Sequence, residues 1–169
     1  KRHAENGTSK LYNKPCYGYR QNEDGELEIV EEEAIIVRRV YAMYLSGMSI
    51  VKIKAALEND SIPSPAGKEQ WSKHTLEFML TNTKYYGTAV IFKTHTSEYK
   101  AKRKVNDGEV NSYAAEGNNE PIIPEEMFNR VQDERTRRSN VEVGEDGVKH
   151  RKSTKYSAKR RNSPNNTSI

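Results

Sequence analysis

Ser72, Lys73, His74 and Thr75 stand together in QWSKHTLEFML, residues 70–80, where an apolar periodicity begins. All four carry hydrogen-bonding side chains. Lys73 can donate to guanine O6 and N7 or to a phosphate, Ser72 and Thr75 can donate or accept, and His74 does either according to its tautomer. If a helix starts here, its free amides and the positive end of its dipole point the same way, towards an anion. The chemistry on offer is the reading of nucleic-acid base edges with a phosphate held alongside. A second reading uses the same residues: Ser72 caps the helix, Thr75 closes the cap, and Lys73 and His74 are solvated.

Other chemistries lack their residues. No G-x-x-x-x-G-K-[ST] or G-x-G-x-x-G phosphate loop occurs, and His3, His74, His95 and His150 are scattered without metal-ligand spacing. Cys16 is the single cysteine, so neither an intramolecular disulfide nor a cysteine zinc site is expected, and a reducing intracellular setting is the simpler reading. The carboxylates cluster where helix starts and turns account for them. We expect no metal and no cofactor in this chain, and composition nominates no serine nucleophile.

Charge is arranged in blocks. The 169 residues hold 28 Lys and Arg against 24 Asp and Glu, a net charge of +4. Residues 1–20 carry five bases and one acid, 21–35 seven acids and no base, 84–104 six bases and one acid, and 151–161 six bases and no acid. Such segregation suits a chain with one face towards phosphate, and it also describes solvated surfaces and tails. The candidate phosphate contacts are Lys10, Lys14, Arg20, Lys52, Lys54, Lys68, Lys93, Lys100, Lys102 and Lys104. In EYKAKRKV, residues 98–105, Lys100, Lys102 and Lys104 fall on one side of a strand, either as a basic ribbon or as lysines guarding a sheet edge. Hydrophobic residues are 34% and charged residues 31%, so a modest core with disordered flanks is expected. No apolar run is long enough to span a bilayer, and the first residues lack a signal peptide's apolar stretch.

The elements that must position the four residues follow from periodicity. Tyr17 and Tyr19 lie two apart, and Asn22-Glu23-Asp24-Gly25 makes a turn before Leu27 and Ile29, a short β-hairpin. Glu31–Leu45 is a helix with Glu31, Glu32 and Glu33 in its first turn, Gly47 past its end, and Ala34, Val37, Tyr41 and Tyr44 on one face, widened by Ile36 and Val40. A second helix runs from the N-cap Ser49 to about Glu58, with Ile50, Ile53, Ala56 and Leu57 inward, and Pro63 and Pro65 force a turn after it. Ser72 then opens a third, whose Leu76, Met79 and Leu80 face the core, and Trp71 is read as core beside it. Two short helices joined by a turn form a helix-turn-helix-like arrangement, whose second helix enters a major groove by its N-terminal end. TAVIFK, residues 88–93, predicts a strand, and PIIPEEMFNRVQDERTRR predicts a helix after Pro124 with Met127, Phe128 and Val131 as its stripe and arginines at its end. From Ser139 large apolar residues are few and disorder is expected. The fold class is α+β and mainly helical: a helix-turn-helix-like three-helix core, a small antiparallel β element and a C-terminal amphipathic helix.

The ordered pattern Tyr17-Gly18-Tyr19, the acidic helix start with Ala34 and Val37, Gly47, Ile53, Leu57, Trp71, Leu80, Asn82, Tyr86-Gly87, Ile122-Ile123, Phe128 and Val131 strongly resembles the recombinase domain of large serine recombinases, over residues 15–138. The resemblance implies a DNA-binding domain between a resolvase-like catalytic domain, which carries the nucleophilic serine, and a zinc ribbon with a coiled-coil insertion. Residues 1–14 would be the linker from the catalytic domain, laid along the minor groove, and 139–169 a polar, basic tail leading to the ribbon. It further implies double-stranded attachment-site DNA and other recombinase subunits as partners, a location on the nucleoid in a bacterial cytoplasm, and no strand cleavage by this chain alone. Two rivals stand beside it: a protein interaction module with non-specific DNA affinity, and a nuclease-like enzyme, for which no acid-base cluster is visible.

Overall fold

The computed structural model describes residues 12–91, 94–95, 104–105, 113–144 and 148–152. The chain divides into two compact units, Lys1–Arg135 and Thr136–Ile169.

The first unit opens with the expected hairpin. Strand β1 (Tyr19–Gln21) pairs antiparallel with β2 (Leu27–Ile29), Tyr19 opposite Ile29 and Gln21 opposite Leu27. Asn22 makes the turn: its backbone N–H donates to Glu26 O at 2.9 Å, and its Oδ1 accepts the Glu26 N–H at 2.8 Å. This is the self-bonding that suits Asn to turns.

Three helices follow, the first two with the predicted boundaries within a residue and the third starting after Ser72 as predicted. Helix α1 (Glu31–Leu45) buries Ala34, Val37, Val40, Tyr41 and Tyr44, and Ile36 is half-buried. Helix α2 (Ile50–Asn59) is capped by Ser49, whose Oγ accepts the Lys52 N–H at 3.3 Å, and it buries Ile53 and Leu57 while Ile50 and Ala56 sit at the margin. Helix α3 (Lys73–Thr81) buries Leu76, Met79 and Leu80. Each contributes a stripe at helical spacing to one core with Trp71, Tyr85, Ile122 and Ile123. Helix α4 (Glu125–Arg138) adds Phe128 and Val131.

Tyrosine hydroxyls tie this core together through backbone carbonyls. Tyr41 donates to Met79 O at 3.0 Å, Tyr85 to Tyr17 O at 2.9 Å, and Tyr19 to Glu120 O at 2.6 Å. Burial of the three rings pushes their hydroxyls well above the ordinary value of 10.0, so they stay neutral donors. Two glycines are required by the same packing. Gly18 has φ +91°, and a Cβ there would meet Ile122 Cδ1 at 2.7 Å; Gly87, also at +91°, would press on the Asn119 carbonyl at 3.0 Å. These are the glycines of Tyr17-Gly18-Tyr19 and Tyr86-Gly87.

After a 3₁₀ turn at Thr83–Tyr86, β3 (Ala89–Ile91) pairs antiparallel with β6 (Tyr113–Ala115), and inside that pair β4 (Thr94–His95) meets β5 (Lys104–Val105). The predicted strand at 88–93 is present as Ala89–Ile91, and of the basic stretch 98–105 only Lys104 and Val105 are described; Lys93, Lys100 and Lys102 lie outside the described residues. Tyr12 is 1% exposed and packs with Ala89 and Ile91 in a second small cluster. The last residues of the predicted linker therefore belong to the packed unit.

In the second unit β7 (Val141–Val143) pairs antiparallel with β8 (Lys149–Arg151), and the Gly144 N–H donates to Val148 O at 2.9 Å. This corrects the expectation of disorder from Ser139, as far as residue 152. Val141 and Val143, followed by Gly144 and Gly147, are a brief strand-and-turn signal that low apolar content outweighed.

Candidate nucleic-acid interface

The start of α3 is built by its cap and by the loop that delivers it. Ser72 Oγ accepts the Thr75 N–H at 3.0 Å and lies 2.9 Å from Thr75 Oγ1. The cap is therefore formed, and each hydroxyl keeps hydrogen-bonding capacity beyond it. Ser72, Lys73 and His74 are exposed and Thr75 is half-buried.

Trp71 anchors the loop. Its backbone N–H donates to Glu58 Oε1 at 2.7 Å, its indole Nε1 donates to Ile62 O at 2.8 Å, and the Tyr17 ring meets it edge-on at 5.8 Å. The reading of Trp71 as core holds: it is 2% exposed. Between Ile62 and Trp71 a tight turn closes through Ser64 N–H to Lys68 O at 2.8 Å and Lys68 N–H to Ser64 Oγ at 3.2 Å. The loop thus holds Lys68 beside the helix start.

Two grooves flank that start. One, of about 330 Å³, is lined by Pro65, Lys68, Gln70, Ser72 and Thr75. The other, of about 460 Å³, is lined by Lys14, Cys16, Pro65, Thr75, Phe78 and Lys84. Pro65 and Thr75 border both. The wall opposite α3 in the larger groove is the segment 14–17, pinned by Lys84 Nζ donating to Lys14 O at 2.5 Å and Asn82 Nδ2 reaching Cys16 Sγ at 3.3 Å. Burial raises the Cys16 thiol above its ordinary value, against the opposing pull of Lys84. A third groove is lined by Glu32 and Glu33 with Ile62, Pro63 and Pro65. Glu33 there accepts the Gly18 N–H at 2.6 Å. Glu32 and Glu33 thus line a different groove from Lys14, Lys68 and Lys84, with Pro65 bordering all three.

The candidate phosphate contacts divide. Lys14 and Lys68 come to α3, each exposed, and Lys52 is exposed on α2. Lys54 bonds to Glu58 at 3.0 Å and Arg20 to Glu28 at 3.1 Å, so both cations already face a carboxylate. Lys104 contributes its backbone to β5 opposite His95, and Lys10 lies outside the described residues. Sequence reasoning passed over Phe78, Gln70 and Lys84. Phe78 was legible as an aromatic off the stripe of Leu76, Met79 and Leu80; the placing of Lys84 against Lys14, 70 residues away in sequence, was not. Among the described residues no group of His, Cys, Asp and Glu has a metal-binding arrangement, and no helix is long and apolar enough to cross a membrane.

A capped, polar helix start presented on a three-helix core defines a helix-turn-helix-like α+β domain. The Recombinase family model matches residues 31–138, and the chain belongs to that family, that of the large serine recombinases. Among solved structures it is similar to one described as the crystal structure of an LSR–DNA complex, at 27% identity and TM-score 0.52, covering 75% of this chain and 33% of that one. This chain therefore spans about a third of that protein's length, 33%. A second similar structure comes from work on the sequence requirements of the Listeria innocua prophage attP site, at 21% identity and TM-score 0.54, covering 89% of this chain and 70% of that one. The second likeness concerns the fold.

Proposed function

We propose that this chain binds double-stranded DNA as the recombinase domain of a serine site-specific recombinase, and that it prefers the sequence of an attachment half-site. The observation that carries the reading is the exposed start of α3, where Ser72, Lys73, His74 and Thr75 stand between two grooves bearing Lys14, Lys68 and Lys84. Lys73 and His74 read base edges, Ser72 and Thr75 use the capacity left over from the cap, and Lys14, Lys52 and Lys68 meet phosphates on either side. Residues 15–138 are the binding domain, joined by the packed end of the segment before them. Residues 1–14 bring the chain from a catalytic domain, and 139–169 lead on to a zinc ribbon. Strand cleavage through a phosphoserine linkage, assembly with other recombinase subunits and a place on the bacterial nucleoid belong to the whole recombinase, as its family implies.

The family and the relative solved with DNA support this reading, and the lysines of the two grooves at the α3 start give it a face. The test is a fluorescence-anisotropy titration against a randomised duplex pool at two salt concentrations, with sequencing of the bound fraction. An enriched motif is expected, with Lys73→Ala relaxing discrimination by about 1–3 kcal/mol at one position. Lys14→Ala and Lys68→Ala should weaken all sequences alike and each flatten the salt slope by about 1. Salt-dependent binding without enrichment would sink the sequence preference, and salt-insensitive capture of a protein without DNA binding would sink the whole reading.

A further inference from the structure

Phe78 is 57% exposed, the most exposed of the large hydrophobic side chains of the described residues. The helix does not need it: Leu76, Met79 and Leu80 complete the buried stripe. At about 100° per residue, Phe78 falls near His74 and Thr75 on the outer side of α3, while Lys73 and Glu77 share the other flank. Phe78 and Thr75 line the same groove, with Lys14 and Lys84 on its rim. An apolar ring is thus presented one turn beyond the polar helix start, in surroundings that attract a polyanion.

We propose that Phe78 is a specificity-determining residue that reads the 5-methyl group of a thymine in the major groove, the Thr75 methyl completing the contact. The inference rests on the DNA-binding reading given above and adds to it a base and a chemical group. The reason is chemical. A helix inserted by its N-terminal end meets base edges that are mostly hydrogen-bonding groups, and the largest apolar feature among them, for a phenyl ring to match, is the thymine methyl. With Ser72, Lys73 and His74 meeting polar edges, Phe78 on the next turn faces the neighbouring base step. Lys14 then stands where the adjacent phosphate passes, on the chain segment that Lys84 and Asn82 hold against α3. An exposed ring on a helix that lies flat against solvent would have no such partner.

The experiment uses the whole chain and a duplex selected by it from a randomised pool. Each thymine of that duplex is replaced in turn by deoxyuridine, which removes the methyl and leaves every hydrogen-bonding group in place. Wild type should lose about four-fold in affinity at one position, the worth of one buried methyl. Phe78→Ala should bind the thymine duplex more weakly by at least that factor and be indifferent to uracil at that position. Phe78→Leu should keep part of the discrimination. Helical circular dichroism and Tm of the variants, which change a solvent-facing side chain, should match wild type. If a duplex is selected but no uracil substitution matters, or Phe78→Ala keeps the wild-type sensitivity, the thymine assignment is overturned and the DNA-binding reading stands. If selection enriches nothing, sequence preference and the thymine assignment fall together.

Discussion

Helices α1 and α3 pack against each other in one core and begin in different ways. At α1 the N-cap is Val30, which offers no side-chain acceptor, and the first turn carries Glu31, Glu32 and Glu33. Three carboxylates answer the positive end of the dipole from within the helix. At α3 the N-cap Ser72 answers one amide, the first turn holds no acid, and Lys73 and His74 add capacity for positive charge. One helix end carries its own anions; the other carries none.

The comparison breaks most severely if the anchor of α3 is removed. Trp71→Ala deletes a fully buried ring and its indole bond to Ile62, and should cost about 3–5 kcal/mol in urea unfolding. Exchanging the character of the α3 start is next: Lys73→Glu with His74→Glu should lower duplex affinity by about 1–3 kcal/mol for each base-edge hydrogen bond abolished, while moving Tm little. An unchanged titration would mean that this helix end does not face DNA. Ser72→Ala should cost about 1 kcal/mol of stability by thermal unfolding, because the Thr75 N–H loses its acceptor. Neutralising α1 with Glu31→Gln and Glu32→Gln should cost about 0.3–1 kcal/mol and leave duplex affinity unchanged or slightly improved.

The smallest effect is a pH dependence. Glu58 is held below its ordinary carboxyl value of 4.5, first by the Trp71 N–H and then by Lys54. A carboxyl lowered in the folded state contributes stability above about pH 4.5 and loses it as pH falls through the lower folded value. Glu58→Gln keeps an oxygen for the Trp71 N–H but removes the charge, so acid unfolding of the variant should lose that part of the slope.

Much of the fold was legible because its elements carry strong local signals. Asn22 and Gly25 announce the hairpin, Ser49 and Ser72 the caps, and the apolar spacing of α1, α2 and α3 their buried faces. The hairpin at 141–151 was missed because two strands of three residues give periodicity little to count. The site was legible in part: the order of residues marks Ser72–Thr75 as a helix start, but whether a lysine can reach a phosphate depends on what folds against it. Lys54 and Arg20 read like Lys14 and Lys68 in one dimension, yet the first two meet Glu58 and Glu28.

By itself the sequence determined the helices, their caps, the acidic and polar starts of α1 and α3, and the family pattern, all properties of neighbours within a few residues along the chain. The tertiary structure alone decided that Gly18 must lack a side chain beside Ile122, that Lys84 grips the backbone of Lys14, and that Phe78 and Thr75 share a groove. The physical reason is range. Capping and amphipathic periodicity act over one or two helical turns, whereas the groove is made by segments 60 to 70 residues apart, whose meeting is set by how the buried stripes of three helices fill one core.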